Sequence, residues 1–431
     1  MKTIQDLYQR YLASPKISTD TRGDVQDSLF FALSGENFNG NTFAKQALIK
    51  GARLAVIDDP TLDEQNGQYF VVPNVLEALQ NLALFHREST KVTVIGITGS
   101  NGKTTTKELI AKVLETEKEI IATQGNFNNH IGVPLTLLRI TSKTQIAVVE
   151  MGANHQGEIA VLCELARPNL GIITNIGKAH LEGMGGFEGV IKAKNELYQY
   201  LKTNNGTVLV NAEDALLMDL SEGMHRISYG MGSGETNGLV TKELPAIKMT
   251  ITDQHQTKFE VNTTLYGHYN IPNILAAVAI GQYFRIKNKN ISKAIASYIP
   301  SNSRSQKMET ETNLLFLDAY NANPVSMREA ILSFHKMNST NPWFVLGDMF
   351  ELGEAAHDEH KQIVDLLLQL KAKHVILTGK NFTSCLAETQ FRGFETTDDA
   401  LIFLQNNPIN NAQVLVKGSR GMQLEKLIPA L

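Results

Sequence analysis

Cysteine is nearly absent from this chain of 431 residues, with Cys163 and Cys385 standing alone and far apart. Two such residues make neither a disulfide framework nor a thiolate metal site, and the expectation is a cytoplasmic protein with reduced thiols. Long apolar runs are missing too. No stretch approaches the ~20 apolar residues that span a bilayer. The N-terminal Met1-Lys-Thr-Ile-Gln-Asp-Leu lacks the apolar core of a secretory signal, so no membrane association is expected. Charge is close to balanced: a formal net charge of −4 gives no reason to expect a nucleic acid as partner. No internal repeat or low-complexity tract is evident. What remains is an ordinary globular composition, 42% hydrophobic and 19% charged, with room for about two to four domains.

One stretch organises the rest: Val92-Thr-Val-Ile-Gly-Ile-Thr-Gly-Ser-Asn-Gly-Lys103-Thr-Thr-Thr106. The β-branched run from Val92 to Ile97 reads as a buried strand that breaks at Gly99. A helix follows with Leu109, Ile110, Val113 and Leu114 on one face. A strand, a tight turn through Gly99, Ser100, Asn101 and Gly102, and a helix N-terminus make an anion site of backbone N–H groups, favoured by the helix dipole. Lys103 adds a point charge for terminal phosphates, the Thr104 hydroxyl can ligate Mg²⁺, and Thr105 continues the turn. The usual P-loop has glycine six residues before the lysine, whereas this chain has Ile97. The stretch is expected to bind a nucleotide.

Before it, short strands at Leu29–Ala32, Leu54–Ile57 and Tyr69–Val72 and a helix from Val75 to His86 predict a small α/β unit. It carries two polar loops, Ser18-Thr19-Asp20-Thr21-Arg22 and Ser34-Gly35-Glu-Asn-Phe38, and for each taken alone an ordinary turn is the better reading than a site. After the P-loop helix comes Gly125-Asn126-Phe-Asn128-Asn129-His-Ile-Gly, rich in uncharged amides. Ile146-Ala-Val-Val-Glu150 reads as a strand ending in a carboxylate, where a Mg²⁺ ligand is expected beside a P-loop. A third strand, Leu170–Ile173, leads to His180, which becomes a second metal-ligand candidate. Residues 225–265 are expected to form small antiparallel strands. At Asn270-Ile-Pro-Asn273 a helix opens, and helix capping is the better reading of the two asparagines. Residues 300–305, including Arg304, read as a linker. Four strands follow, at Leu314–Leu317, Trp343–Leu346, His374–Leu377 and Gln413–Val416, with polar residues at their ends as in a doubly wound domain.

In Gly186 to Leu201 the residues Phe187, Val190, Ile191, Leu197, Tyr198 and Leu201 fall on one helical stripe. Lys194 lands in its middle while Lys192 points away. Burial would lower the pKa of such a lysine and make a neutral amine accessible. The alternative is a side chain whose stem packs while its head reaches water.

Together these segments resemble the Mur ligase family of ATP-dependent amino-acid and peptide ligases, over essentially the whole chain. The resemblance rests on Thr98-Gly-Ser-Asn-Gly-Lys-Thr-Thr, Gly125-Asn-Phe-Asn-Asn-His-Ile-Gly-Val-Pro-Leu-Thr, Glu150-Met-Gly-Ala-Asn-His-Gln-Gly-Glu, Asp318-Ala-Tyr-Asn-Ala-Asn-Pro and Val345-Leu-Gly-Asp-Met-Phe-Glu-Leu-Gly. It implies an α/β protein of three domains: a small N-terminal substrate domain (1–88), a central P-loop ATPase domain with a mostly parallel sheet (89–302), and a C-terminal Rossmann-like doubly wound domain (303–431). The first would hold a UDP-sugar through Ser18, Thr19, Asp20, Arg22, Ser34 and Gly35. Asn273 would contact adenine, Asp318 the ribose and Arg304 the γ-phosphate. Asn126, Asn128, Asn129, Tyr320, Asn321, Asp348, Ser419 and Arg420 would meet the substrates. These are a UDP-N-acetylmuramoyl-tripeptide and D-alanyl-D-alanine, used by a monomer with ATP and two Mg²⁺ held by Thr104, Glu150, His180 and Lys194. Lys103, Lys194, His180 and Arg304 would serve catalysis, with Lys194 carried as an N-carboxylated lysine. In one place the chain departs from the family: Tyr269 stands where a histidine usually precedes the first asparagine of the helix start. Ligases of the folylpolyglutamate type, P-loop kinases and non-catalytic nucleotide sensors are the competing classes. The Asn-rich loop and N-terminal unit disfavour the first, product analysis separates the second, and retention of Lys103, Glu150 and His180 argues against the third.

Overall fold

Apolar runs that would have to be buried on both faces become the parallel strands of three sheets. The computed structural model describes residues 3–64, 66–387 and 389–431. Met1 and Lys2 of the N-terminal stretch read above therefore lie outside the described residues, as do Gln65 and Glu388. In the first unit, strands Ile17–Ser18, Leu29–Phe31, Leu54–Ile57 and Tyr69–Val71 pair in parallel, in that order.

The helix Val75–Glu88, capped by Asn74, packs against the central unit, and its apolar face joins a core shared by both. Two polar ties fix this joint. The Tyr11 hydroxyl donates to the Leu138 carbonyl at 2.5 Å, and the buried Arg87 Nε donates to the Ala166 carbonyl at 2.9 Å.

The central sheet has nine strands. Thr93–Thr98 lies between Ile146–Glu150 and Leu170–Ile173, with Ile120–Ala122 at the edge. On the other side Thr207–Asn211 and His225–Gly230 extend the parallel part. Only Thr236–Lys242, Lys248–Thr252 and Lys258–Asn262 form the antiparallel ladder expected for 225–265. His225–Gly230 thus differs from the sequence reading: its backbone is claimed by the parallel neighbour.

Helix Ile271–Tyr283 is buried almost all round and packs on the P-loop helix Lys103–Leu114. An apolar surface on every side is what an internal helix requires, and this packing brings Asn273 to the P-loop.

In the third unit the parallel strands Leu314–Asp318, Gln413–Lys417, Pro342–Gly347, His374–Thr378 and Arg392–Phe394 lie in that spatial order. Gln306–Glu309 runs antiparallel at the other edge. The strand ends carrying Glu150, Ile173, Asp318 and Lys417 all point toward the space between the central and third units.

Candidate active site

The P-loop conformation depends on two glycines. Gly99 has φ +138°, and a Cβ there would sit 2.0 Å from Thr174 Oγ1. Gly102 has φ +80°, and a Cβ there would meet Asn273 Oδ1 at 2.7 Å. Both positions need the left-handed region and a close approach that side chains forbid. Behind the turn, the loop after strand Leu170–Ile173 holds its shape. Asn101 N–H donates to Asn175 Oδ1 at 3.0 Å, and Thr174 Oγ1 donates to the Asn101 carbonyl at 2.6 Å. The helix Lys103–Leu114 has no side-chain cap, which leaves its first N–H groups to the cavity. Lys103 Nζ donates to the carbonyls of Gly99 and Ser100 at 2.6 and 3.2 Å. Burial lowers its pKa, with Glu150 opposing and Arg304 adding to the shift.

Glu150 is 1% exposed at its strand end. Its carboxylate accepts from Thr104 Oγ1 at 2.9 Å and from Asn128 Nδ2 at 2.8 Å. The buried Lys107 ammonium lies 3.9 Å from it. Among the described residues no three His, Cys, Asp or Glu side chains gather as a metal cage. A carboxylate and a hydroxyl side by side next to a phosphate cradle still fit Mg²⁺, which keeps waters and takes phosphate oxygens as its other ligands.

A cavity of about 940 Å³ brings these groups together with the third unit. It is lined by Ser100, Asn101, Gly102, Lys103, Thr104, Thr105, Asn126, Asn128, Asn129, Glu150, His180 and Asn273 from the central unit. Arg304 on the linker and Asp318, Tyr320 and Asn321 beyond it complete the wall. The Arg304 guanidinium stacks 3.6 Å over the Tyr320 ring. His180 Nδ1 faces the Glu351 carboxylate, and that ring holds the Glu351 carboxyl below its ordinary range.

Gly99 lies under the turn rather than on the cavity wall. Lys194 lies behind the wall: it is 1% exposed in helix Phe187–Thr203, with Nζ 3.5 Å from the Ala153 carbonyl. Burial, together with the nearby Lys103 charge, pushes its ammonium down to about 7. Its head does not reach water, so the snorkelling alternative does not describe it.

Other residues named from the sequence lie elsewhere. Ser34 and Gly35 line a separate hollow of about 520 Å³ with Asn39 and Asp58 in the first unit. Ser18 ends the neighbouring strand, and Thr19, Asp20 and Arg22 follow it, where Arg22 pairs with Asp20 at 2.7 Å in solvent. Asp348 is outside the large cavity because both carboxylate oxygens accept from the helix start, Asn381 N and Phe382 N, each at 2.9 Å. Ser419 Oγ accepts from Phe350 N at 2.9 Å, and Arg420 pairs with Glu425 at 2.8 Å.

The capping reading of the two asparagines is corrected. No side-chain cap bond starts helix Ile271–Tyr283. Asn270 Nδ2 instead donates to the Tyr266 carbonyl at 2.8 Å, and Asn273 Oδ1 accepts from Thr106 Oγ1 at 3.0 Å. Sequence reasoning missed three supports: Thr174 and Asn175 under the P-loop, and the buried Lys417, whose ammonium donates to Asp318 Oδ2 at 2.5 Å. The only signal for them was their position at strand ends.

A mostly parallel three-unit α/β fold, with a P-loop facing a cavity walled by its third unit, defines a class of P-loop α/β enzymes whose site lies between two units. Residues 97–281 match the family model of the Mur ligase middle domain, and residues 303–420 match that of the Mur ligase glutamate ligase domain. The chain is 35% identical to the UDP-N-acetylmuramoyl-tripeptide–D-alanyl-D-alanine ligase of Bacillus subtilis (strain 168), over 100% of this chain and 98% of that one. It is 34% identical to the ligase of the same name in Escherichia coli (strain K12), over 96% and 93%. A crystal structure of MurF from Acinetobacter baumannii superposes with a TM-score of 0.87 at 32% identity, covering 96% of this chain and 92% of that one. The chain belongs to the Mur ligase family, among the UDP-N-acetylmuramoyl-tripeptide–D-alanyl-D-alanine ligases.

Proposed function

We infer that this chain is an ATP-dependent ligase that joins D-alanyl-D-alanine to UDP-N-acetylmuramoyl-tripeptide, forming the pentapeptide precursor of peptidoglycan. The observation that carries this is the single cavity in which the uncapped P-loop helix and Glu150 face Arg304, Asp318 and Tyr320 across the linker. Relatives of that name match along the full length of the chain.

A carboxylate does not react with an amine in water until it is activated. ATP transfers its γ-phosphoryl group to the terminal carboxylate of the tripeptide, giving an acyl phosphate and ADP. The dipeptide amine then attacks, and phosphate leaves. The difficulty of the first step is bringing two anions together, and Lys103 and Arg304 supply positive charge on either side of the transferred group. Asn273 would meet the base and Asp318 the ribose. Thr104 and Glu150 would hold Mg²⁺, which neutralises phosphate charge when bound. His180 and an N-carboxylated Lys194 would serve a second ion, since a depressed lysine pKa leaves the neutral amine that reacts with carbon dioxide. Ser34 and Gly35, with the neighbouring Ser18, Thr19, Asp20 and Arg22, would meet the UDP end in the first unit. Asn126, Asn128 and Asn129 would meet the peptide, and Tyr320 and Asn321 the incoming dipeptide. We take the working enzyme to be a cytoplasmic monomer. Its two cysteines are buried and unpaired, and no helix among the described residues is long and apolar enough to cross a membrane.

The test is ATP turnover with purified UDP-muramoyl-tripeptides, with and without D-alanyl-D-alanine. Phosphate release that depends on both substrates, with a pentapeptide product, is expected; release without amide formation overturns the reading. Lys103→Ala should abolish ligation and leave affinity for the UDP-tripeptide within about twofold, a factor worth only a few tenths of a kcal/mol. Equal loss of both would remove the assignment of the two sites to different units.

A further inference from the structure

Ser305 has no charge, is 4% exposed, and sits with φ +47° in a linker where Asn302 and Ser303 also have positive φ. Three non-glycine residues of this kind within four positions are costly unless the surroundings hold them. The surroundings do so through a buried chain of hydrogen bonds that runs in one direction. Thr106 Oγ1, on the P-loop helix, donates to Asn273 Oδ1 at 3.0 Å. Asn273 Nδ2 donates to Asn270 Oδ1 at 3.1 Å, and Asn270 Nδ2 donates to Ser305 Oγ at 3.1 Å. The Tyr269 hydroxyl lies 3.2 Å from the same Oγ. On its other side, Ser305 N–H donates to Asp318 Oδ1 at 3.3 Å, while Lys417 holds Oδ2. Every member between Thr106 and Ser305 is buried, so each amide has one orientation that satisfies it.

We infer that Ser305 is a positioning residue of the nucleotide site: its hydroxyl ends the chain that orients Asn273, and its backbone N–H sets Asp318. One linker residue thereby ties the base side of the cavity, on the central unit, to the ribose side, on the third unit. The inference rests on the reading that this cavity binds a nucleotide. In the left-handed backbone at 305 the N–H meets Asp318 while the hydroxyl meets Asn270. Removing the hydroxyl leaves one Asn270 N–H buried without its acceptor, so that the Tyr266 carbonyl alone holds that amide group and the orientation passed on to Asn273 is loosened.

The test uses the full chain and ADP binding by calorimetry, with Ser305→Gly as the main variant. Glycine accepts φ +47° without strain, so it removes the hydroxyl and nothing else the backbone needs. ADP affinity should fall about tenfold, as expected when a buried hydrogen-bond partner is lost. KM for ATP should rise in step while KM for D-alanyl-D-alanine stays. Asn270→Ala should give a similar loss, and the double variant should be no worse than the poorer single, because both cut one chain. Unchanged ADP affinity in Ser305→Gly, or fully additive losses, overturns the inference. An equal loss of UDP-tripeptide affinity in Ser305→Gly would reveal general unfolding and overturns it too. Failure of the wild-type chain to bind ADP would instead defeat the nucleotide reading itself.

Discussion

Lys194 places a buried ammonium in the central unit, with the Ala153 carbonyl as its acceptor at 3.5 Å. An unpaired buried cation is removed by deprotonation or by conversion to something else. Reaction of the neutral amine with carbon dioxide forms an N–C bond, releases a proton and leaves an anion. Lys194→Ala should therefore lower ligation by on the order of 10²-fold, and formate or acetate should restore part of it. Carbon-13 bicarbonate should give a carbamate signal in the wild type and none in the variant. Full activity of Lys194→Ala, or no such signal in active enzyme, sinks the carbamate. Helical spacing alone puts Lys194 among Val190, Leu197 and Tyr198, but it left open whether the head of the side chain reaches water, which the packing around it decides. The roles of Asn270 and Asn273 were not legible. Their partners, Ser305 and Thr106, lie 35 and 167 positions away, while a cap signal depends only on neighbours.

Among the elements, the strands that pair on both sides were read almost to the residue, since Ile146–Glu150 and Leu170–Ile173 are buried along their whole length. Edge strands were not: Gln306–Glu309 and Arg392–Phe394 are polar and partly exposed, and an open edge imposes no apolar pattern. Helix Ala356–Gln369 shows how one element supports a cavity wall. Its His360 is fully buried, donates from Nδ1 to the Ala356 carbonyl at 2.6 Å and accepts at Nε2 from Met349 N at 2.9 Å. This fixes the loop that delivers Phe350 and Glu351 to the cavity. Burial holds the His360 pKa below its ordinary value, although Asp348 and Glu359 favour the proton; His357 opposes it. Above the ordinary imidazole pKa of 6.5 both states are neutral and the fold is at its most stable. As pH falls through 6.5 the unfolded chain takes a proton that the folded one resists, and stability drops until the folded pKa is reached. Trp343, the one tryptophan, lies in the same sheet and reports unfolding of this unit. His360→Asn should cost about 1–3 kcal/mol at pH 8, yet lose less on going to pH 5.5. An identical acid slope in denaturant titrations would assign it to other groups.

At the scale of the whole molecule, the two joints differ in kind. The first unit shares an apolar core with the central one, so it is expected to move with it. The third unit meets the central one through polar pairs at the cavity rim and through Tyr266, whose ring packs edge-on against Phe316 at 5.0 Å. Asn323 Nδ2 donates to Asn101 Oδ1 at 2.7 Å, and Lys178 pairs with Glu359 at 2.6 Å. Rim contacts of this kind are weak individually and screened by salt, so the equilibrium between open and closed arrangements is within reach of a ligand's differential binding. ATP can supply that difference, because its phosphates would rest on the P-loop while Arg304 reaches them from the linker. The Arg304 guanidinium is stacked on Tyr320, a contact made on the third-unit side. Arg304→Ala should then weaken closure as well as chemistry. Small-angle scattering of the wild type should show a smaller radius of gyration with a non-hydrolysable ATP analogue, and less contraction at high salt. In Arg304→Ala the contraction should shrink by about half or more, which is the loss of on the order of 1 kcal/mol from a few-kcal/mol equilibrium. Equal contraction in both proteins would leave Arg304 a linker charge that touches the reaction alone.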